Sequence, residues 1–314
     1  MAITADGQVN GTGFPAFAAR PRLSAFLGAL AITFSGVLYR LAQVSPETAT
    51  VFRAFYGLPL ILLATAAERR RVGPLPGRDR MLAVLAGAFF AADLLFWHHS
   101  IDAVGAGLAT VLANLQVVVV AFAAWLLFGE RPANRTLAAL PIMLAGVVLI
   151  GGLVGAGSYG SHPLLGVAFG LVTAFSYGGY LIVIRHVSRG HTAEPVAIST
   201  ATTAVLGAIA GLALGRLDIV PSWPAHAWLF LLGITAQAGG SLLISVSLPR
   251  LPAVVTSIIL LAQPVMSVVL AMLLLQEAPS VAQLAGVALV IGGIAVATVP
   301  VSRSRLPARS ATGA

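Results

Sequence analysis

The feature that most constrains this chain is the recurrence of apolar runs of about 20 residues, the length that a helix needs to cross a bilayer. Only 9% of the 314 residues are charged and 58% are hydrophobic, whereas a soluble domain carries about 25% charged residues. The runs are continuous, unlike the alternating strands of about ten residues in outer-membrane barrels. The sequence therefore predicts an all-α membrane protein. Its ten predicted spans cover residues 23–41, 48–67, 81–99, 104–128, 136–155, 164–184, 195–214, 227–247, 252–274 and 280–299.

The arginines predict how these spans are oriented. The chain contains no Lys, and with a cytoplasmic N-terminus 15 of its 18 basic residues fall in inner segments or tails. Arg40 and Arg216 fall outside, and Arg53 lies within a span. Because Lys and Arg accumulate in cytoplasmic loops, we expect both termini in the cytoplasm. The same bias explains the net charge of +8 without a nucleic-acid partner.

The connections between spans are short, which leaves no room for a soluble domain. We read the polar N-terminal segment as a cytoplasmic tail and not as a signal peptide, because no apolar region with a cleavage-like site precedes the first span. The predicted organisation is a tail over 1–22, a first five-helix repeat over 23–155, a second over 164–299 and a basic tail over 300–314.

An internal repeat supports this division. At an offset of 147 residues the chain matches itself without a gap, so that Gln116 falls on Gln263 and Glu130 on Glu277. Each half has five predicted spans, an odd number, so the second half must be inverted relative to the first. Inverted repeats are typical of secondary transporters, whose substrate sites lie near the midplane between the halves.

The best-matched segments resemble a known family. Residues 106–132, with Gln116 at the middle and Gly129-Glu130-Arg131-Pro132 at the end, resemble the fourth span of the EamA-type drug/metabolite transporters. Residues 254–279 repeat the pattern and include the mid-helix proline, Pro264, which is usual in that family. Ser45-Pro46 followed by Arg53 resembles the start of the family's second span. The resemblance covers nearly the whole chain.

This resemblance implies a ten-helix fold around a central cavity that carries small organic solutes, commonly amino acids. Within the family the chain is similar to bacterial amino-acid exporters, such as the aromatic amino-acid exporter, although no motif selects that branch. We expect a multi-pass protein of the bacterial inner membrane, a monomer or weak dimer, whose partners are the lipid bilayer and a small-molecule substrate.

Ionisable groups within spans are the first candidates for a substrate site, because each costs about 2.5 to 3.5 kcal/mol to insert. Asp93 and Arg53 are predicted on the outer half of spans three and two. They would bind the ammonium and carboxylate of an amino acid, or else form a structural ion pair, and Arg53 has lipid headgroups as a further alternative. Trp97 follows Asp93 by four residues and shares its helical face. It would contact a cargo ammonium or ring, or else belong to an interfacial aromatic belt.

Other polar and aromatic residues are weaker candidates. His98 and His99, with Asp93, are candidates for proton coupling, the alternative for the histidines being a solvated helix end. Gln116 and Gln263 would meet near the pseudo-two-fold axis and line the cavity, or else bond to neighbouring backbone. The remaining cavity candidates are Asn114 and the tyrosines Tyr39, Tyr56, Tyr177 and Tyr180, and Pro264 is a candidate hinge.

Several function classes lack their signatures. The chain has no Cys, no Cys/His cluster with metal-ligand spacing, no nucleotide-binding loop and no intramembrane protease motif. We therefore expect neither an enzyme nor a cofactor, and no selectivity-filter loop indicates a channel. The sequence is best explained as a carrier that exports amino acids or related metabolites by alternating access. The alternatives are a carrier for cationic drug-like compounds and a membrane scaffold.

Overall fold

The computed structural model describes residues 20–129, 132–154, 157–188, 190–247, 251 and 253–298, and all of its regular elements there are helices. The predicted tails lie almost entirely outside these residues. The first half contains α1 (Pro21–Thr33), α2 (Ser35–Ala42), α3 (Pro46–Val72), α4 (Gly77–Val104), α5 (Ala106–Ala113), α6 (Gln116–Phe128) and α7 (Asn134–Ile150).

The second half repeats this arrangement with one irregular segment. It contains α8 (Pro163–Val187), α9 (Ala193–Ala213), α10 (Trp223–Leu232), a π-helix (Gly233–Gly240), α11 (Ser241–Ser247), α12 (Ala253–Leu274) and α13 (Val281–Thr298).

Eight helical stretches in the described part of the chain are long and apolar enough to span a membrane. The apolar stretches Asn134–Ile150 and Leu261–Leu274 are shorter. An all-helical protein with many apolar helices is therefore confirmed, and the exact number of ten spans and the side of the termini stay predictions.

Three spans are interrupted within the apolar region. The first span breaks at Phe34, between α1 and α2, and the fourth breaks at Asn114 and Leu115, between α5 and α6. The eighth span runs as α10, the π-helix and α11. Interruptions of this kind free backbone groups and are often found at functional sites.

The main helix contacts join the two halves. Helix α3 packs on α9, α5 on α12 and α7 on α13, while α4 packs on α8 and α1 packs on the π-helix and α11. If the halves are exchanged span for span, this set of contacts maps onto itself. The helix packing therefore agrees with a two-fold relation between the two repeats.

Small residues allow the helices to approach closely. A Cβ atom on Gly166 would lie 2.6 Å from the Val104 Cβ, and one on Gly170 would lie 2.7 Å from the Leu112 Cβ. Both glycines belong to α8, and they face α4 and α5 respectively. Such small-residue faces are a common way to pack membrane helices.

Glu68, at the end of α3, ties down the start of α9. Its buried carboxylate accepts hydrogen bonds from the backbone N–H groups of Thr192, Ala193 and Glu194 at 2.6, 2.9 and 3.0 Å. These N–H groups have no partner within the helix, and the helix dipole favours a negative charge there.

Glu194, in the second half, contacts residues of the first half. Its carboxylate lies 2.6 Å from Arg69 Nη2 and 3.4 Å from Arg80 Nε, and it accepts from the Leu75 N–H at 3.0 Å. We call Glu68, Arg69, Arg80 and Glu194 the carboxylate clamp. It joins two loops that the predicted topology places on the cytoplasmic side.

Glu277 makes a similar contact at the opposite end. Its buried carboxylate accepts from the N–H groups of Ala106 and Gly107, at 2.7 and 3.3 Å, and so caps α5 of the other repeat. Gly105 has a φ of +94° and no room for a side chain, because its Cβ would lie 2.7 Å from the Glu277 carboxylate. Its repeat mate Glu130 lies outside the described residues.

Candidate functional site

Arg53 is buried in the N-terminal half of α3, with 5% of its surface exposed. Its Nε donates to the Gln237 Oε1 at 3.0 Å. Its Nη1 is also buried and has no hydrogen-bond partner. A guanidinium carries five N–H donors, so Arg53 retains hydrogen-bonding capacity that the described residues do not use.

Asp93, on α4, is 6% exposed and interacts electrostatically with Arg53. In the described part of the chain it forms no hydrogen bond, and no ion pair within 4.0 Å joins it to Arg53. The direct structural pair weighed from the sequence is therefore not formed. The two opposite charges thus attract each other without a direct hydrogen bond between them among the described residues.

Two aromatic side chains border these charges. The Arg53 Cζ lies 6.0 Å from the centroid of the Trp97 ring, within the range of a cation–π contact. Trp97 is 8% exposed, which argues against a place in an interfacial belt. Tyr177, on α8, interacts electrostatically with both Arg53 and Asp93. We call Arg53, Asp93, Trp97, Tyr177 and Gln237 the central site.

The other predicted tyrosines have defined partners. Tyr180 stacks on Tyr177 at 5.7 Å between centroids and on Phe90 at 4.7 Å, and it interacts with Asp93. The Tyr56 hydroxyl is 2.7 Å from the His226 Nδ1. Tyr180 thus borders the central site, whereas the polar group of Tyr56 is already paired.

Tyr39 lies toward the predicted outer end. Its hydroxyl donates to the Asp102 Oδ2 at 2.9 Å, and its ring stacks on His98 at 4.3 Å. It lines a surface cavity of about 280 Å³ with Arg40, Gln43, Val44 and Asp102. No contact connects it to Arg53 or Asp93 in the described part of the chain.

His98 is fully buried, which contradicts a solvated position at a helix end. Its Nδ1 lies 3.0 Å from the Thr50 hydroxyl, which itself donates to the Pro46 carbonyl. Because that hydroxyl proton is assigned to the Pro46 carbonyl, we assign Nδ1 as the donor. The remaining nitrogen, Nε2, has no partner.

His99 is partly exposed, and its Nε2 lies 3.1 Å from an oxygen of the fully buried Glu47. The second Glu47 oxygen has no hydrogen-bond partner. Arg216, in the loop after α9, is 4.0 Å from the first oxygen. The proton-coupling roles of His98, His99 and Asp93 stay predictions.

The mid-membrane amides do not pair with each other. The Gln116 Oε1 is buried without a partner, and no hydrogen bond joins it to Gln263 in the described part of the chain. The Asn114 amide, in the break after α5, donates to the Thr110 carbonyl one turn earlier at 2.8 Å. Pro264 lies inside α12, and its role as a hinge stays a prediction.

Gln237 is the central-site residue that the sequence analysis missed. Its amide is a polar group in the middle of an apolar span and is flanked by small residues in Ala236-Gln237-Ala238-Gly239-Gly240. That signal was available, because an amide in a span must find a hydrogen-bond partner. The buried Glu47, Glu68 and Glu194 were missed because each lies at a helix end, where a charge appears solvated. No group of three metal-ligating side chains occurs among the described residues.

Comparisons with known proteins agree with this architecture. A solved chain described only as "Crystal structure of protein" shares 22% sequence identity over 90% of this chain and 98% of its own, with a TM-score of 0.63, and so shares the fold. No curated protein matches the chain. The model of the EamA-like transporter family matches twice, over residues 21–152 and 164–299, once in each half. The chain therefore belongs to the EamA-like transporter family, and it is a multi-pass membrane transporter of small molecules.

Proposed function

We propose that this transporter exports amino acids or related small metabolites across the bacterial inner membrane by alternating access. One observation carries the proposal: Arg53 and Asp93 are both buried and carry opposite charges, and among the described residues Arg53 Nη1 has no hydrogen-bond partner and Asp93 forms no hydrogen bond. Unpaired buried charges are costly. A zwitterion placed between them would bind its carboxylate to Arg53 and its ammonium to Asp93.

The aromatic residues extend this interpretation to the cargo's side chain. Trp97 lies beside Arg53, and Tyr177 interacts with both charges. Rings at this position offer stacking surface to an apolar or aromatic cargo side chain. The charges and rings together support amino acids as cargo. We call Trp97 and Tyr177 the aromatic wall, and it would set the preference among amino acids.

A cationic drug-like compound is the second candidate. It would use the Asp93 carboxylate and the Trp97 ring, but it would also meet the buried positive charge of Arg53, whose Coulomb repulsion is strong at low dielectric. A cargo that carries both charges fits the site better.

Counterflow in liposomes tests the proposal. Purified protein is reconstituted into vesicles loaded with unlabelled amino acids, and uptake of a labelled amino-acid panel is measured. We expect saturable exchange that Arg53→Ala and Asp93→Ala abolish, while Arg70→Ala, at an exposed arginine of the same helix, retains it.

The same assay also tests the cationic cargo and the proposal as a whole. Exchange of labelled organic cations, lost in Asp93→Ala and retained in Arg53→Ala, would replace the amino-acid assignment. No exchange of any amino acid by the well-folded wild type would contradict the proposal.

A further inference from the structure

The side chain of Gln237 connects three helical elements through one amide. It is 1% exposed and lies in the π-helix of the eighth span. Its Oε1 accepts from Arg53 Nε on α3 at 3.0 Å, and its Nε2 donates to Thr200 Oγ1 on α9 at 2.9 Å. Since a guanidinium can only donate, the amide oxygen must face Arg53 and the amide nitrogen must face Thr200.

The contact with Arg53 is selective for one nitrogen. Gln237 holds Nε, at the base of the guanidinium, and Nη1 is left buried without a partner. Because the guanidinium is planar and rigid, fixing Nε also fixes the direction in which Nη1 points. An anionic group bound there would find its donor already oriented.

Two glycines near Gln237 allow its helix to pack closely against α3. A Cβ on Gly57 would lie 2.8 Å from the Gln237 Cγ, and a Cβ on Gly233 would lie 2.9 Å from the Arg53 carbonyl oxygen. Two glycines therefore bring α3 and the π-helix close enough for a short amide to contact the guanidinium. A side chain at either position would move the amide away.

The π-helix sets the direction of Gln237. Successive α-helical residues are rotated by about 100° around the helix axis, and a π-bulge holds one additional residue in the turn. Deleting one residue from the π-helix would convert this turn to a regular α-helix and rotate Gln237 away from Arg53 by about 100°. The corresponding span of the first half is the regular helix α4, which contains no Asn or Gln, so the first half has no equivalent amide.

We propose that Gln237 is a positioning residue, which holds the Arg53 guanidinium so that Nη1 binds the carboxylate of the cargo. This inference rests on the proposed function of the central site and adds to it how the anion-binding group is oriented. Thr200 orients the Gln237 amide from the other side.

The first test is counterflow with Gln237→Met, which keeps the length of the side chain and removes its hydrogen bonds. We expect KM for a carboxylate-bearing amino acid to rise about tenfold, as for loss of a hydrogen bond to a charged group. The affinity for the corresponding amino-acid amide, measured by competition, should change little. Thr200→Val should raise the same KM by a smaller factor.

The matched control is Gln283→Met. Gln283 is also fully buried, and it bonds to Tyr159 and to the Ile150 carbonyl, neither of which contacts Arg53 among the described residues. Its substitution should lower the melting temperature and leave KM unchanged. Equal rises in KM for the amino acid and its amide, or the same rise in Gln283→Met, would overturn the positioning role.

A second readout does not depend on the cargo. In protein labelled with ¹⁵N at the arginine Nε atoms, the Arg53 N–H signal is assigned by its loss in Arg53→Lys. We expect it to exchange slowly with solvent in the wild type, to be lost or shifted in Gln237→Met, and to be retained in Gln237→Glu, which still offers an oxygen.

The two readouts separate the inference from the proposed function. A wild type that exchanges no amino acid contradicts the function, while an Arg53 signal lost in Gln237→Met still supports the positioning contact. An Arg53 signal unchanged in Gln237→Met overturns the inference whatever the cargo is.

Discussion

The central site and the carboxylate clamp both contain buried charges, which in the clamp are the carboxylates of Glu68 and Glu194, but their hydrogen bonds are satisfied to different degrees. In the clamp, Glu68 accepts three backbone N–H groups, and Glu194 accepts one and contacts two arginines. In the central site, Asp93 has no such partner among the described residues, and Arg53 hydrogen-bonds there to Gln237 alone. Buried charges are retained at a cost unless they are paired. We expect this difference if the clamp serves the fold and the central site binds the cargo, as proposed above.

The sharpest test of this comparison is Asp93→Asn, which keeps the shape and removes the charge. We expect exchange of amino acids to fall by about 100-fold or more, because the cargo ammonium loses its counter-charge. The melting temperature should stay the same or rise, since a buried unpaired charge is replaced by a neutral amide. A clear loss of stability would show that Asp93 has a structural partner and would remove the contrast with the clamp.

The opposite pattern is expected at the clamp. Glu68→Ala leaves three N–H groups at the start of α9 without their acceptor, and we expect the free energy of unfolding to fall by about 3 kcal/mol. Unfolding in detergent by circular dichroism measures this change. The exchange rate of the protein that remains folded should match the wild type, and Glu68→Gln should lie between the two.

The sequence predicted some features of the fold and of the central site and missed others. The helices and the EamA family were predictable, because apolar runs and the repeat are properties of the sequence alone. The breaks at Phe34 and Asn114 and the π-helix were not, because the apolar pattern continues through them. Arg53 and Asp93 were recognised as charges in spans, but whether they pair directly depends on helix packing, which the sequence does not give.

A smaller effect is expected from the aromatic wall. Trp97→Ala should raise KM for aromatic amino acids by about tenfold, in line with the stacking and cation–π energies of such rings. Trp125→Ala is the control, because that ring is 48% exposed on the surface of α6. Equal effects of the two substitutions in counterflow would show that Trp97 acts only through packing.

The smallest expected effect concerns Glu277 and pH. Burial raises the pKa of its carboxyl above the usual 4.5, although the N–H groups of Ala106 and Gly107 oppose the shift. An acid with a raised pKa in the folded state stabilises the fold fully below its unfolded pKa, and this contribution is lost as the pH rises through the raised value. The melting temperature of the wild type relative to Glu277→Gln should therefore rise as the pH is lowered from 7 toward 4.5. A difference that is independent of pH would contradict a buried, titrating Glu277.

The capping of α5 by Glu277 has a consequence for how such a protein arises. The acceptor comes from the second repeat and the helix start from the first. A chain of half this length would begin α5 with unsatisfied N–H groups, which are costly in lipid. It would need a second copy to supply the missing carboxylate. Fusion of two such genes would make this capping contact permanent, because the two halves could no longer dissociate. Each half would then be free to acquire residues that the other lacks, such as Gln237 in the second half.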